Sequence, residues 1–251
     1  MTILPSCFVA HGAPTLALDA RKGADLTAWA NEIPRPRAIV AVSAHWESSA
    51  PAIGTTETQP LMYDFGGFPR ALYEVDYPAP GAPELAARVE ELLAPLGAVE
   101  RTRRGLDHGV WVPLVHMYPR ADIPVLQVSL VPDAFEMGRL LLPLRQEGVL
   151  VLASGVLVHN LGAVDFGDRS PAPSWAVEFD RWCAETLEKR DFDALAKWRT
   201  RAPHADRAQP TDDHFAPLFV ACGASPDGES VRFPVSGFEY GSLSRRCVQF
   251  G

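Results

Sequence analysis

The chain has 251 residues, 47% hydrophobic and 22% charged, with a formal net charge of −8. That length suits one large α/β domain or two small ones, and the acidity argues against general nucleic-acid binding, which needs clustered Lys and Arg. No segment approaches the ~18 apolar residues of a membrane span. The N-terminus has no basic region ahead of its apolar stretch, so a cytoplasmic protein without a signal peptide is expected.

Residues 3–10 read as a strand that ends in His11-Gly-Ala-Pro14, with Cys7 inside it. Residues 16–31 read as an irregular helix leading to the turn at Pro34 and Pro36. The run 37–47, rich in small and β-branched residues, predicts a strand buried on both faces that ends at His45. In open α/β sheets, ligands bind beyond the carboxyl ends of the strands, where His11 and His45 would sit. Residues 55–83 carry Tyr63, Phe65, Phe68, Tyr73 and Tyr77 among Gly66, Gly67 and several prolines. Such a segment predicts an ordered loop walling a pocket, or aromatics that simply pack the loop onto the sheet.

Leu85, Val89, Leu92 and Leu93 mark an amphipathic helix over 84–96, stopped by Pro95 and Gly97. A loop from Arg104 opens into a short helix carrying His108. Residues 124–130 predict a buried strand, and 134–146 a helix weakened at Pro143. The strand over 149–153 runs through Ser154 and Gly155 towards His159. Trp175, Phe179, Trp182 and Leu187 define a surface helix over 174–189, and 192–198 a shorter one. The run 210–222 predicts a helix starting at Thr211 or Asp212, good N-cap residues, with His214 in its first turn. Strands over 231–235 and 246–250 end the chain. No repeat, low-complexity segment or linker interrupts it, so one domain over 1–251 is expected. The four cysteines, Cys7, Cys183, Cys222 and Cys247, form no C-x-x-C pair and read as reduced, buried thiols.

There are seven histidines. His116 and His204 have no catalytic context and read as structural or exposed. His11, His45, His108, His159 and His214 all fall at strand ends, loop–helix junctions or helix starts, positions that converge at one edge of an α/β sheet. One such residue alone would read as a hydrogen-bonded structural histidine; five together point to a functional cluster. Imidazole without cysteine points to zinc or non-haem iron. Iron(II) oxygenases use two histidines and a carboxylate, for which Glu47, Asp213 and Glu239 are candidates; three or four histidines suffice for zinc. No G-x-G-x-x-G, P-loop, G-x-S-x-G or H-E-x-x-H motif is present, so nucleotide-binding and α/β-hydrolase readings lack their scaffolds. Ser154 lies near His159 but not in a nucleophile elbow.

Five motifs then carry a resemblance: Phe8-Val-Ala-His11-Gly-Ala-Pro-Thr15, Val42-Ser-Ala-His45-Trp-Glu47, Tyr63-Asp-Phe-Gly-Gly-Phe-Pro69, Leu106-Asp-His108-Gly-Val-Trp-Val-Pro-Leu114 and Phe238-Glu-Tyr-Gly-Ser242. In this order, from about Pro5 to Ser244, the chain resembles the class III extradiol ring-cleavage dioxygenases, within them the DOPA 4,5-dioxygenase branch. The resemblance implies one α/β domain with a mostly parallel central sheet flanked by helices and a metal site at one edge of the sheet. It implies His11, His45 and His214 as metal ligands. It makes His159 either a further metal neighbour, as in zinc-bound members, or the acid/base group of the iron enzymes. His108 would be a substrate-facing or supporting group that can also take part in proton transfer. The aromatic-acid branch completes its metal triad with a glutamate, a place that His214 takes here. Non-haem Fe(II) is implied for catalysis, with Zn2+ an alternative occupant of the isolated protein, and O2 as co-substrate. The substrate would be a catechol, DOPA-like or another small aromatic diol, and the protein a monomer or small homo-oligomer. Two other functions compete: a zinc hydrolase using metal-bound water, and a Memo-like non-enzymatic binding protein, against which the five histidines argue.

Overall fold

The structure, a computed structural model, describes residues 3–54, 56–167 and 169–251. Its strands are β1 (Ser6–Ala10), β2 (Ala38–Glu47), β3 (Ala52–Ile53), β4 (Glu100–Arg101), β5 (Val125–Leu130), β6 (Val149–Gly155), β7 (Val231–Arg232), β8 (Phe238–Glu239), β9 (Leu243–Ser244) and β10 (Val248–Phe250). The helices are α1 (Ala20–Glu32), α2 (Pro83–Leu93), α3 (His108–Met117), α4 (Ala134–Leu141), α5 (Pro143–Gln146), α6 (Ser174–Glu188), α7 (Phe192–Ala196), α8 (Trp198–Arg201), α9 (Ala205–Ala208) and α10 (Pro217–Gly223). Among the described residues no helix is long and apolar enough to cross a membrane.

The sheet runs in the order β4-β3-β5-β2-β6-β1-β10-β7, with β8 and β9 paired separately. Its centre, β5-β2-β6-β1, is parallel throughout, while β10 and β7 extend one side antiparallel. The sheet is therefore mostly parallel and its central strands are apolar on both faces, as covered parallel strands must be. Side chains alternate between the faces. Val40 and Val42 join Leu126, Val128, Val151 and Ala153 in a core shared with α2, α4, α6 and α10. Ile39 and Ala41 join Val125, Leu150 and Leu152 beneath α1 and α3. All four cysteines are buried free thiols, as expected.

The register decides where the site forms. Ser154 on β6 lies opposite Ser43 on β2 and Val9 on β1. The chain segments leaving β1, β2 and β6 thus emerge side by side from one edge of the sheet.

Most element limits agree with the sequence, and the differences have local causes. The helix over 134–146 divides into α4 and α5 at Pro143, and the one over 84–96 ends as a 3-10 turn at Ala94–Leu96. The strand over 231–235 shrinks to Val231–Arg232. Thr55, the first residue of the expected aromatic loop, lies outside the described residues. The larger correction concerns 211–222: the continuous helix begins at Pro217, and His214 sits in an isolated turn ahead of it rather than in the first turn of that helix. Pro217 has no N–H to give the Asp213 carbonyl. The His214 carbonyl is meanwhile taken by the Val156 amide at 3.0 Å. One helical turn does open at Asp212, whose carbonyl accepts the Ala216 amide at 2.9 Å, but with these two bonds missing it does not run on into α10.

Candidate active site

His11 follows β1 directly, and its amide continues the ladder by donating to the Gly155 carbonyl at 3.2 Å. The chain then turns at Gly12, whose φ of +62° suits glycine, and a Cβ there would run into Glu239. Glu239 is buried and accepts the Ala13 amide at 3.1 Å, with Lys22 Nζ at 3.6 Å. This carboxylate therefore clamps the turn that presents His11. His45 lies near the end of β2, its amide donating to Ser43 Oγ at 3.2 Å and its carbonyl accepting from Arg104 Nη2 at 3.1 Å. His108 opens α3, His159 follows β6, and His214 precedes α10.

These five rings come together. The centroids of His11, His45 and His214 are 5.0, 5.3 and 4.9 Å apart, and His108 lies 4.0 Å from His45. His159 stacks on His214 at 3.5 Å with a 9° interplanar angle. His116 and His204 lie elsewhere, bonded to the Leu16 carbonyl and to Glu178.

Among the described residues two groups of side chains could hold a metal: His11 with His45 and His214, and His45 with Asp64 and His108. In each, the ligand atoms lie within 4.8 Å of one another. His159 stands outside both. Of the expected carboxylates, Glu47 is exposed outside the cluster, Glu239 holds the Gly12 turn, and Asp213 is bonded to His214 Nδ1 at 2.5 Å. The carboxylate that meets two imidazoles is Asp64. It lay unassigned in the Tyr63-Asp-Phe motif, where its only signal was an acidic residue in an aromatic, glycine-containing loop.

Hydrogen-bond donors and acceptors determine which nitrogen of each ring is bare. Ser154 Oγ lies 2.5 Å from the Gly109 carbonyl and 2.9 Å from His11 Nδ1. A carbonyl only accepts, so the single hydroxyl proton goes to Gly109 and His11 donates from Nδ1. His214 likewise donates from Nδ1 to Asp213. Both rings are left with bare Nε2 atoms, the form a metal ligand needs. His11 Nε2 lies 3.2 Å from His45 Nε2. Ser154, set aside as a nucleophile, and Asp213, proposed as a ligand, are instead residues that orient the imidazoles.

Electrostatics reinforce this. Burial, followed by repulsion from the neighbouring imidazoles, holds His11 well below its ordinary pKa and lowers His45 to about 3. Burial and His214 lower His159 to about 3. These three rings are neutral near pH 7, with lone pairs rather than charge facing the centre. Burial alone would raise Asp64, but the hydrogen bonds from the His108 ring and amide outweigh it and bring it to about 2. Neutral, converging imidazoles with their outer nitrogens tied to Ser154 and Asp213 fit a divalent transition metal.

The aromatic loop packs onto the body of the domain, the second of its expected roles. Phe65 reaches His108 with ring centroids 5.5 Å apart, while the Tyr63 and Tyr77 hydroxyls donate to the Val75 and Tyr118 carbonyls and pin the loop to the body.

Comparison with known proteins follows the same lines. The family model for the catalytic LigB subunit of aromatic ring-opening dioxygenase matches residues 10–248. The chain is 41% identical to a 4,5-DOPA dioxygenase extradiol of Escherichia coli strain K12, covering 100% of this chain and 96% of that protein. It is 38% identical to the protein of that name from Beta vulgaris, covering 97% and 95%. A crystal structure of an uncharacterized Escherichia coli K12 protein superposes with a TM-score of 0.82 at 35% identity, covering 99% of this chain and 100% of the other.

Proposed function

The chain belongs to the family of the catalytic LigB subunit of aromatic ring-opening dioxygenase, and from that premise we propose that it opens a small DOPA-like catechol at a non-haem Fe(II) centre. It is an extradiol ring-cleaving dioxygenase, metal-dependent and using O2 on a small aromatic substrate. The observation that carries the finer reading is the convergence of His11, His45 and His214, two of them with Nδ1 tied off by Ser154 and Asp213. These three would hold the metal. When bound, it supplies Lewis acidity towards the two catechol oxygens and a redox centre for dioxygen.

The chain's own residues position the diol and move its protons. Phe65 offers an aromatic edge beside His108 for a flat ring. His159 is the candidate acid/base: neither ring nitrogen is tied to a protein partner among the described residues, and the ring stacks flat on His214. Its resting form is neutral, as a proton acceptor requires, and an imidazole that takes a phenolic proton can return it to the opened product. The substrate reading is supported by near-full-length likeness to proteins named for DOPA.

The test is anaerobic loading with Fe(II), addition of L-DOPA, and simultaneous measurement of oxygen uptake and the yellow ring-opened product. Uptake is expected with iron and not zinc, and is expected to vanish in His45→Ala. In His159→Ala we expect retained metal and a kcat lower by about 100-fold or more. Full turnover there would remove His159 from the mechanism. No uptake across a panel of catechols, with tight zinc binding, would favour a zinc hydrolase.

A further inference from the structure

Asp64 belongs to a loop far in sequence from the groups it meets. Its Oδ1 accepts the backbone N–H of His108 at 3.1 Å and lies 2.8 Å from the Nδ1 of the same ring. Its Oδ2 lies 3.7 Å from His45 Nδ1. One side chain thus faces the outer nitrogens of two neighbouring imidazoles. An ionised carboxylate has no proton to give and only accepts, so the ring nitrogen facing Oδ1 is the donor. His108 therefore carries its proton on Nδ1, and its Nε2 is a bare acceptor. The ring has little freedom to change this, packed between His45 at 4.0 Å and the edge of Phe65 at 5.5 Å.

We propose that Asp64 is a positioning residue for ring opening: it locks His108 as a hydrogen-bond acceptor for one hydroxyl of the aromatic diol and steers His45 Nε2 towards the metal position. The inference rests on the diol-binding reading of this site. It divides the work between two imidazoles. Among the described residues no hydrogen bond ties the His159 ring, whereas His108 is held in one tautomer and receives a hydroxyl in one direction. An aromatic diol presents two such hydroxyls.

A purely structural Asp64 would only anchor its loop to the start of α3. The two roles separate in the tautomer of His108, read by 15N–1H correlation of the imidazoles in the Zn2+-loaded protein. The Nδ1–H form is expected in the wild type and in Asp64→Asn, whose amide oxygen still accepts. Asp64→Ala is expected to lose it. Chelator competition should show Zn2+ affinity reduced no more than about tenfold in Asp64→Ala, since His11, His45 and His214 remain. With iron and L-DOPA, kcat should fall about 100-fold in Asp64→Ala and return to within about tenfold of wild type in Asp64→Asn.

An Nε2–H form of His108 in the wild type overturns the proposal, as does an unchanged tautomer and kcat in Asp64→Ala. Abolished Zn2+ binding in that variant also overturns it, because Asp64 would then be a ligand rather than a positioning group. A wild type that opens no catechol counts against the diol reading itself, and the tautomer measurement still decides whether Asp64 sets His108.

Discussion

The start of α3 packs tightly against the site at Gly109, the second residue of that helix, and Gly109→Ala exploits it. A Cβ at that position would run into Ser43 Oγ and stand 2.9 Å from His45 Cδ2 and 3.3 Å from Asp107 Oδ1. Ser43 is buried and receives the His45 amide, so its hydroxyl can swing away only by giving up that hydrogen bond, a loss of about 1 kcal/mol. Forcing a methyl into a packed interior adds about 1–3 kcal/mol. The better helix propensity of alanine offsets at most about 1 kcal/mol. The balance is a destabilisation of about 1–3 kcal/mol, and each kcal/mol lowers the melting temperature by about 2–4 °C in a chain of this size. The strain falls on His45, so metal affinity should also drop about 10–100-fold. Differential scanning calorimetry and chelator competition measure the two effects. Adding Ser43→Ala should recover part of the stability, by removing the nearest atom, but not the affinity, because the His45 contact remains. A Gly109→Ala protein with unchanged melting temperature and unchanged metal affinity would refute the claim that α3 presses directly on His45.

Other perturbations test other links. Ser154→Ala leaves His11 Nδ1 and the Gly109 carbonyl without their shared partner; a stability loss of about 1–3 kcal/mol by urea titration and about 10–100-fold weaker metal binding are expected, and normal affinity would show that Ser154 does not orient His11. Arg145, buried on α5, pairs with Glu229 and donates to the Leu4 and Ala224 carbonyls. Arg145→Leu should cost about 3–5 kcal/mol while metal affinity of the folded fraction stays unchanged, since this network holds the fold away from the histidines. Acid should destabilise the metal-free protein. His45 and His159 bind protons more weakly folded (about 3) than unfolded (6.5), so the unfolded chain takes up the extra protons. The stability is fully present above about pH 6.5 and is lost as pH falls towards about 3, by about 5 kcal/mol for one such group acting alone. A melting temperature that is flat from about pH 7 to about pH 4 would contradict the burial of these neutral rings.

Much of the scaffold is legible locally. Runs of β-branched and small residues declare β1, β2, β5 and β6, and a histidine that follows such a run has to emerge near the carboxyl end of its strand. His11, His45 and His159 are found this way, and His108 and His214 from the loop–helix junctions beside them. The helix start before His214 was misplaced because N-cap chemistry at Thr211 and Asp212 is a local preference. The missing amide of Pro217 and the capture of the His214 carbonyl by Val156 override it. The second of these is a contact across the fold that no local pattern encodes.

The supporting groups of the site are of the same kind. Ser154 reaches His11 because β6 lies between β2 and β1 in register. Asp64 reaches His108 across 44 residues of chain. Sequence by itself determined the parallel core and the identity of the converging imidazoles, since apolar periodicity and strand length are properties of contiguous residues. Tertiary structure alone decided which nitrogen of each ring is bare, because that depends on donors and acceptors brought together by strand order and loop path.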